Sequence, residues 1–352
     1  MNQDRGETSP LPPAGVPVVR SIVTAPLPPV VEPAAPGRST PSVRTSPDDF
    51  HQSGREYGPP PRRRRVWLPL LLFLATAMST FWAGSTAREP EGPFEILLLL
   101  DQPAEIVVRL LYGWREGMQY MLAVMSILLA HEMGHFLQAV RYRVPATLPF
   151  FIPMPFTPLG TMGAVIAMRG SQADRRQIFD IGISGPIAGL VIALPVAWAG
   201  IATATPGGDP MYFNDPLILR LMVDYLHPEL APGQALGWNP LYMAGWVGML
   251  ITGLNMMPIS QLDGGHVTYA LMGRGAHWLA RALVLAAVAF ILAYDEYGWA
   301  LMLALVVFLG TDHPRTANDR APLGWWRYAL GWASLAIPIL CFVPVPVNRH
   351  FF

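Results

Sequence analysis

Apolar and polar positions fall along this chain in long blocks. Residues 1–61 carry no sustained apolar run and no helical or strand period. From residue 66 onward, apolar stretches of helix length recur, each closed by arginines, prolines or glycines. Apolar runs of about 20 residues predict membrane-spanning helices. Read in order, they predict spans over about 66–83, 117–140, 178–201 and 239–257. A segment from Arg281 to about residue 293, a shorter one over 298–309 and a final one over 328–345 follow. The expected fold class is an all-α polytopic membrane protein with about six or seven transmembrane helices.

Two stretches break the pattern. Residues 94–114 are apolar but interrupted by Asp101, Pro103, Glu105 and Arg109, which suits an interfacial helix better than a span. Between Pro145 and Met168 stand Pro145, Pro149, Pro153, Pro155 and Pro158, followed by the Gly-rich, partly β-branched run LGTMGAVIAM. Helix interiors do not tolerate that proline density. Apolar, non-helical backbone at membrane depth has to be buried in protein or line a wet cavity, because its polar groups need partners. A re-entrant loop with a short β element is the expectation there.

Composition sharpens the class. Of 352 residues 52% are hydrophobic and 14% charged, and the mean hydropathy is +0.34, outside the profile of a soluble enzyme. Lys+Arg and Asp+Glu balance at 24 each, so no global charge argues for a nucleic-acid partner. The placement of the arginines matters more. Arg62–Arg65 precede the first span, and Arg141, Arg143, Arg169, Arg175, Arg176, Arg274 and Arg281 mark later turns. The positive-inside rule then puts the N-terminus in the cytoplasm, and an integral protein of a bacterial cytoplasmic membrane is expected. Fourteen prolines lie within residues 1–61, so residues 1–65 read as a disordered cytoplasmic tail that cannot offset its ordering entropy. Residues 66–348 read as one membrane-embedded domain. The 203–238 loop is too short for an inserted folded domain. Cys341 is the single cysteine, which leaves His, Asp and Glu to hold any metal.

The candidate chemistry lies in ILLAHEMGHFLQ, residues 127–138. On a helix, His131 and His135 are one turn apart and face one way, so both imidazoles can share a tetrahedral zinc. Glu132 is placed to act as general base in such a site, while zinc brings the pKa of water to roughly 7. An ionisable group at the centre of a transmembrane helix costs roughly 2.5–3.5 kcal/mol, and three occur here within five residues. A catalytic zinc takes three protein ligands. Asp263, in LDGG just beyond the 239–257 span, is the leading third candidate, with His266 as its rival. Asn255, inside that span, either holds the scissile carbonyl or its oxyanion, or serves as a structural hydrogen-bonding group. His51, His227, His277, His313 and His350 have no partner at ligand spacing and read as surface or structural groups. Gly182, Gly185 and Gly189 sit at small-residue spacing that lets another helix approach closely.

HEMGH in one span and NMMPISQLDGGH in a later one resemble the two signatures of the site-2 protease family, intramembrane zinc metalloproteases of the M50 type. LPFFIPMPFTPLGTMGAVIAMRGSQADRRQIFDIGISGPIAG and HPRTANDRAPLGWW…FVPVPV are similar to the PDZ-lacking branch that includes the plastid EGY-type proteases. The likeness covers roughly residues 66–348. It implies one catalytic zinc on His131, His135 and Asp263, Glu132 as base, Asn255 near the substrate carbonyl, and a β segment that receives an unwound substrate strand. The partners it implies are a transmembrane protein substrate and the lipid bilayer. The rival readings are a non-catalytic zinc-binding scaffold or pseudoprotease, and a metal transporter. A transporter needs polar residues along several spans, whereas these gather at one depth. Counting about 1.5 Å per residue, His131 lies roughly 10 Å from the cytoplasmic edge of a 30 Å core, within reach of water from that side.

Overall fold

The computed structural model describes residues 66–86, 103–207, 213–231, 234–259, 261–311 and 313–346. The expected disordered tail, and the part of the expected interfacial helix before residue 103, lie outside the described residues. The chain divides into two units, Met1–Arg62 and Arg63–Phe352, and every described residue belongs to the second.

Helix α1, Trp67–Thr86, begins with Pro69 in its first turn, where a missing N–H costs nothing. One of its faces is buried and polar, with Thr76, Ser79, Thr80 and Ser85 in the interior. Thr80 satisfies its hydroxyl on the Thr76 carbonyl (2.8 Å), and the Ser79 hydroxyl accepts from the Met154 N–H (3.2 Å). This polar face is thus the seat of the β element.

Helix α2, Pro103–Arg141, runs 39 residues without interruption, which corrects the reading of 94–114 as a separate interfacial helix. Pro103 starts the helix where it was taken to break one. Gly113 and Gly117, further on, are close-approach points. A Cβ at Gly113 would lie 2.3 Å from the Ser85 carbonyl oxygen, and one at Gly117 2.0 Å from Ser85 Oγ. The end of α1 therefore crosses α2 at contact distance.

The proline-rich segment forms an antiparallel pair, β1 (Phe150–Met154) with β2 (Gly160–Val165). Phe151 pairs with Ala164 and Pro153 with Thr161, with a register irregularity between Phe151 and Pro153. Proline has no ladder N–H, so a bulge is where a strand accommodates it. Gly160, at φ +73°, turns the chain directly over Thr80 of α1, where a Cβ would come within 2.7 Å of the Thr80 Cα. The Tyr120 hydroxyl of α2 donates to the Leu159 carbonyl (2.9 Å). The pair is thus fixed on both flanks, leaving the far end of β2 to face the site.

Helix α3, Arg175–Thr203, opens with a capping box in which Asp174 accepts from the backbone of Arg176 and Gln177. Pro186 and Pro195 lie inside it. After a connection comes α4, Leu217–Leu226, and then α5, Pro240–Asn255, capped by the Asn239 side chain with proline at its first position. Helix α5 is buried nearly all round, from Pro240 through Gly253, as a helix at the centre of a bundle must be. The chain then doubles back into α6, Asp263–Met272, followed by α7, Gly275–Tyr294, and α8, Ala300–Leu309. The last expected span is two helices, α9 (Trp325–Ser334) and α10 (Ala336–Cys341), interrupted at Leu335. Pro338 cannot donate to the Ser334 carbonyl, which ends α9 there.

Among the described residues, four helices are long and apolar enough to cross a membrane: α1, α2 from Ile106 onward, α3 and α7. The stretches at 239–257, 298–309 and 328–345 form shorter helices. Helix α5 ends at Asn255, whose side chain lines the cavity described below.

Candidate metal centre

Helices α2 and α3 pack antiparallel. Gly134 faces the Ser184 carbonyl, where a Cβ would meet oxygen at 2.5 Å. Gly185 lies beneath the His135 ring, Gly189 beneath His131 and Gly182 beneath His266. The three glycines picked out by spacing thus admit imidazoles as well as a neighbouring helix.

His131 and His135 share one face of α2 with ring centroids 5.0 Å apart. The Nδ1–H of His135 donates to the Ile181 carbonyl (2.7 Å), so its Nε2 carries the free lone pair. That Nε2 is 3.2 Å from Asp263 Oδ1, and Nε2 of His131 is 3.1 Å from Asp263 Oδ2. Ligand atoms about 2.0–2.1 Å from a tetrahedral zinc are roughly 3.3 Å from one another, so these spacings fit a single shared cation. One ligand atom from each of the three residues lies within 4.8 Å of the others. Two imidazoles and a carboxylate are a donor set that suits zinc.

Asp263 arrives by a tight reversal. After Asn255 the chain turns through Met256–Leu262 and starts α6 at Asp263. Gly264 then passes over the end of α5, where a Cβ would lie 2.0 Å from the Met256 carbonyl oxygen and 2.6 Å from that of Met257. The glycine after Asp263 is the reason the carboxylate can return beside Asn255. The Asn255 amide nitrogen is 3.3 Å from Nε2 of His131, so the amide singled out in the sequence stands beside the candidate metal ligands. His266 does not join the ligand cluster; its Nδ1 is 2.7 Å from Nε2 of His313.

Glu132 is buried, at 4% exposure. It lines a cavity of about 150 Å³ together with His131, His135, Asn255, Asp263, His266 and the β2 end at Ala164–Val165. A base candidate, a metal site, an amide and a strand end thus share one enclosure.

Two supports have no signal in the sequence. The first is the Ile181 carbonyl on His135, invisible because any residue supplies a carbonyl. The second lies one residue away, where Arg327 of α9 forms a fork on buried Asp180, Nε to Oδ1 at 2.8 Å and Nη2 to Oδ2 at 2.7 Å. Tyr142 adds a hydroxyl to Oδ2 (2.5 Å). This charge-assisted cluster anchors the turn of α3 that orients His135. The histidine of residue 313, read as a surface or structural group, is buried at 5% exposure and stacked on Tyr269.

With this geometry the comparisons with known proteins agree. The profile of Peptidase family M50 matches residues 119–294, a span holding both histidines, Glu132, Asn255 and Asp263, and the chain belongs to that family. Its kinship is with EGY-type proteins. It is 28% identical over 293 residues to "Probable zinc metalloprotease EGY1, chloroplastic" of Arabidopsis thaliana, covering 79% of this chain and 53% of that one. The Oryza sativa subsp. japonica protein of the same name is 28% identical over 299 residues, covering 79% of this chain and 50% of its own. The chain spans about half the length of these relatives. Both are chloroplastic by name, so they lend nothing to the expected bacterial cytoplasmic membrane. No solved structure matches the chain.

Proposed function

We propose that the chain is an intramembrane zinc endopeptidase that hydrolyses a peptide bond within or beside a transmembrane segment of another membrane protein. The observation that carries this reading is the Asp263 carboxylate set 3.1 and 3.2 Å from the two Nε2 atoms of an H-E-x-x-H helix long and apolar enough to span a bilayer. His131, His135 and Asp263 would hold the zinc, which when bound would supply a Lewis acid for the scissile carbonyl and for a water of pKa roughly 7.

The remaining work belongs to the chain's own groups. Glu132, enclosed in the cavity, takes the proton of the attacking water and returns it to the leaving amine nitrogen as the C–N bond breaks. Asn255 donates from its amide to the carbonyl oxygen as negative charge develops there. A helical substrate hides its carbonyls in internal hydrogen bonds, so the cleaved stretch has to be extended. The end of β2 at the cavity offers such a stretch an edge to pair with. The cluster faces the cytoplasmic side on the arginine pattern, with residues 1–65 a tail on that side and 66–348 the catalytic domain.

The test is Glu132→Gln, which keeps the three ligands and removes the base. Membrane proteomes of cells expressing wild type or variant are compared. Accumulation of particular single-span proteins or membrane stubs in the variant alone supports the protease. Matching proteomes, with both proteins present and zinc-loaded, favour the scaffold or pseudoprotease.

A further inference from the structure

His266 lines the cavity of the metal centre without belonging to the ligand cluster. Its ring is oriented by a chain of groups that the hydrolytic mechanism does not use. The first is the carbonyl of Pro314, which can only accept, so the His313 nitrogen 2.6 Å from it, Nδ1, carries a proton. His313 is buried, and burial pushes its pKa down, which keeps the ring neutral. A neutral ring with its proton on Nδ1 has an acceptor at Nε2. The atom 2.7 Å from that acceptor is Nδ1 of His266, so this nitrogen carries the His266 proton. The lone pair of His266 is then on Nε2, the ring nitrogen left to an occupant of the cavity.

The chain of bonds is held rigidly. Tyr269 stacks on His313 with ring centroids 4.3 Å apart and 14° between planes, and the Tyr269 hydroxyl donates to Asp319 (3.1 Å). Beneath His266, Gly182 brings α3 so close that a Cβ there would be 2.8 Å from the His266 Cβ. A part-buried acceptor that is fixed in one tautomer and lines the cavity is placed to take a donor there. Of the other polar side chains lining the cavity, Asp263 is engaged with both imidazoles and Asn255 stands beside His131.

We propose that His266 is a substrate-binding residue whose Nε2 accepts a hydrogen bond from a backbone N–H of the peptide in the cavity, with His313 as the positioning residue that fixes the accepting tautomer. An extended peptide displays N–H groups on both of its edges. If one edge pairs with β2, the other needs an acceptor, and His266 provides it. This assignment rests on the proteolytic reading of the same cavity.

The test uses the full chain purified in detergent and a panel of single-span reporter proteins carrying a helix-breaking pair in the apolar segment. From these is taken a reporter that wild type cuts and Glu132→Gln does not. His266→Phe keeps an aromatic ring and removes the acceptor. Its kcat/KM is expected to fall about tenfold, mostly through KM, with one zinc per chain retained. His313→Phe keeps a ring against Tyr269 and loses the acceptor for His266, and falls in the same direction. His313→Gln restores an acceptor near the Nε2 position and recovers most of the loss. Wild-type kinetics in His266→Phe with zinc retained overturn the assignment, and so does loss of zinc, which would make His266 a ligand. Equal losses in His313→Phe and His313→Gln also overturn it, by reducing His313 to packing. Failure of the proteolytic reading looks different: wild type leaves every reporter intact, and the His266 assignment falls with it.

Discussion

Adding one methyl group beneath a candidate metal ligand is the sharpest test of the geometry. A Cβ at Gly185 would sit 2.0 Å from Nε2 of His135 and 2.4 Å from both Cδ2 and Cε1. Ordinary contact begins at 3.4 Å, so in Gly185→Ala the ring has to withdraw by about 1.4 Å. Metal–ligand distances hold to about 0.2 Å. Rotating the ring away sacrifices the Nδ1–H bond to Ile181, and the backbones are already in contact at Gly134 and Ser184. The expected result is a chain that folds but binds zinc at least about 100-fold more weakly, a loss beyond that of removing a group that merely orients a ligand. The assay is zinc per chain after purification, with a competition titration against a chromophoric chelator. Thermal unfolding of the metal-free forms serves as the folding control. A Gly185→Ala protein that holds one zinc at wild-type affinity would refute the placement of His135 as a ligand on this helix face.

At Gly189 a Cβ would be 3.1 Å from Nδ1 and 3.2 Å from the Cβ of His131, so Gly189→Ala is expected to cost much less zinc affinity than Gly185→Ala in the same titration. Asn255→Ala is expected to lower kcat by roughly 10²–10³-fold with zinc retained, as removal of an oxyanion donor does; an unchanged kcat on a cleavable reporter would return the amide to a structural role. Asp180→Asn leaves Arg327 without its charge partner, which costs up to about 3 kcal/mol for a pair of one buried and one partly buried member. It should lower both thermal stability and, through the adjacent Ile181 carbonyl, zinc affinity. Asp215, before α4, is pushed up to about 6 by burial, against the Tyr242 hydroxyl and Arg220, which lower it. Its Oδ1 has no partner among the described residues. A carboxyl raised in the folded state contributes stability below its unfolded value of 3.8 and loses it as pH rises through about 6. Asp215→Asn should therefore gain in melting temperature over wild type as pH is raised from 4 to 7, and a pH-independent difference would contradict the burial argument.

Much of the site was legible because its signals are local. One helical turn separates His131 from His135, and their cost in an apolar helix marks them as functional. Asp263 and Asn255 could be named from the run between them, but what brings them together is Gly264 lying on the Met256 carbonyl, a long-range fit that no periodicity encodes. The spacing of Gly185 and Gly189, four residues like that of the histidines, was a signal available and only half used: it spoke of close helices and not of rings. Helix lengths were less legible. Pro103 carries the same letter whether it starts a helix or breaks one, and only the packing of Gly113 and Gly117 against Ser85 decides. The fork from Arg327 to Asp180 spans 147 positions, and its partners look like ordinary juxtamembrane charges when read along the chain.

The pairing of two glycines with two histidines has a meaning before any substrate arrives. Inside a bilayer, apolar contact hardly distinguishes one alignment of two helices from another a single turn away, a slip of about 5.4 Å. Here the alignment is checked by size. Slipping α3 one turn in one direction would set Ala193 under His131, and in the other Ile181 under His135, so only the observed match offers both rings a residue without a side chain. The fit that leaves room for the two imidazoles therefore also proofreads the assembly of α2 on α3, and a misaligned pair would press a side chain against one of the rings.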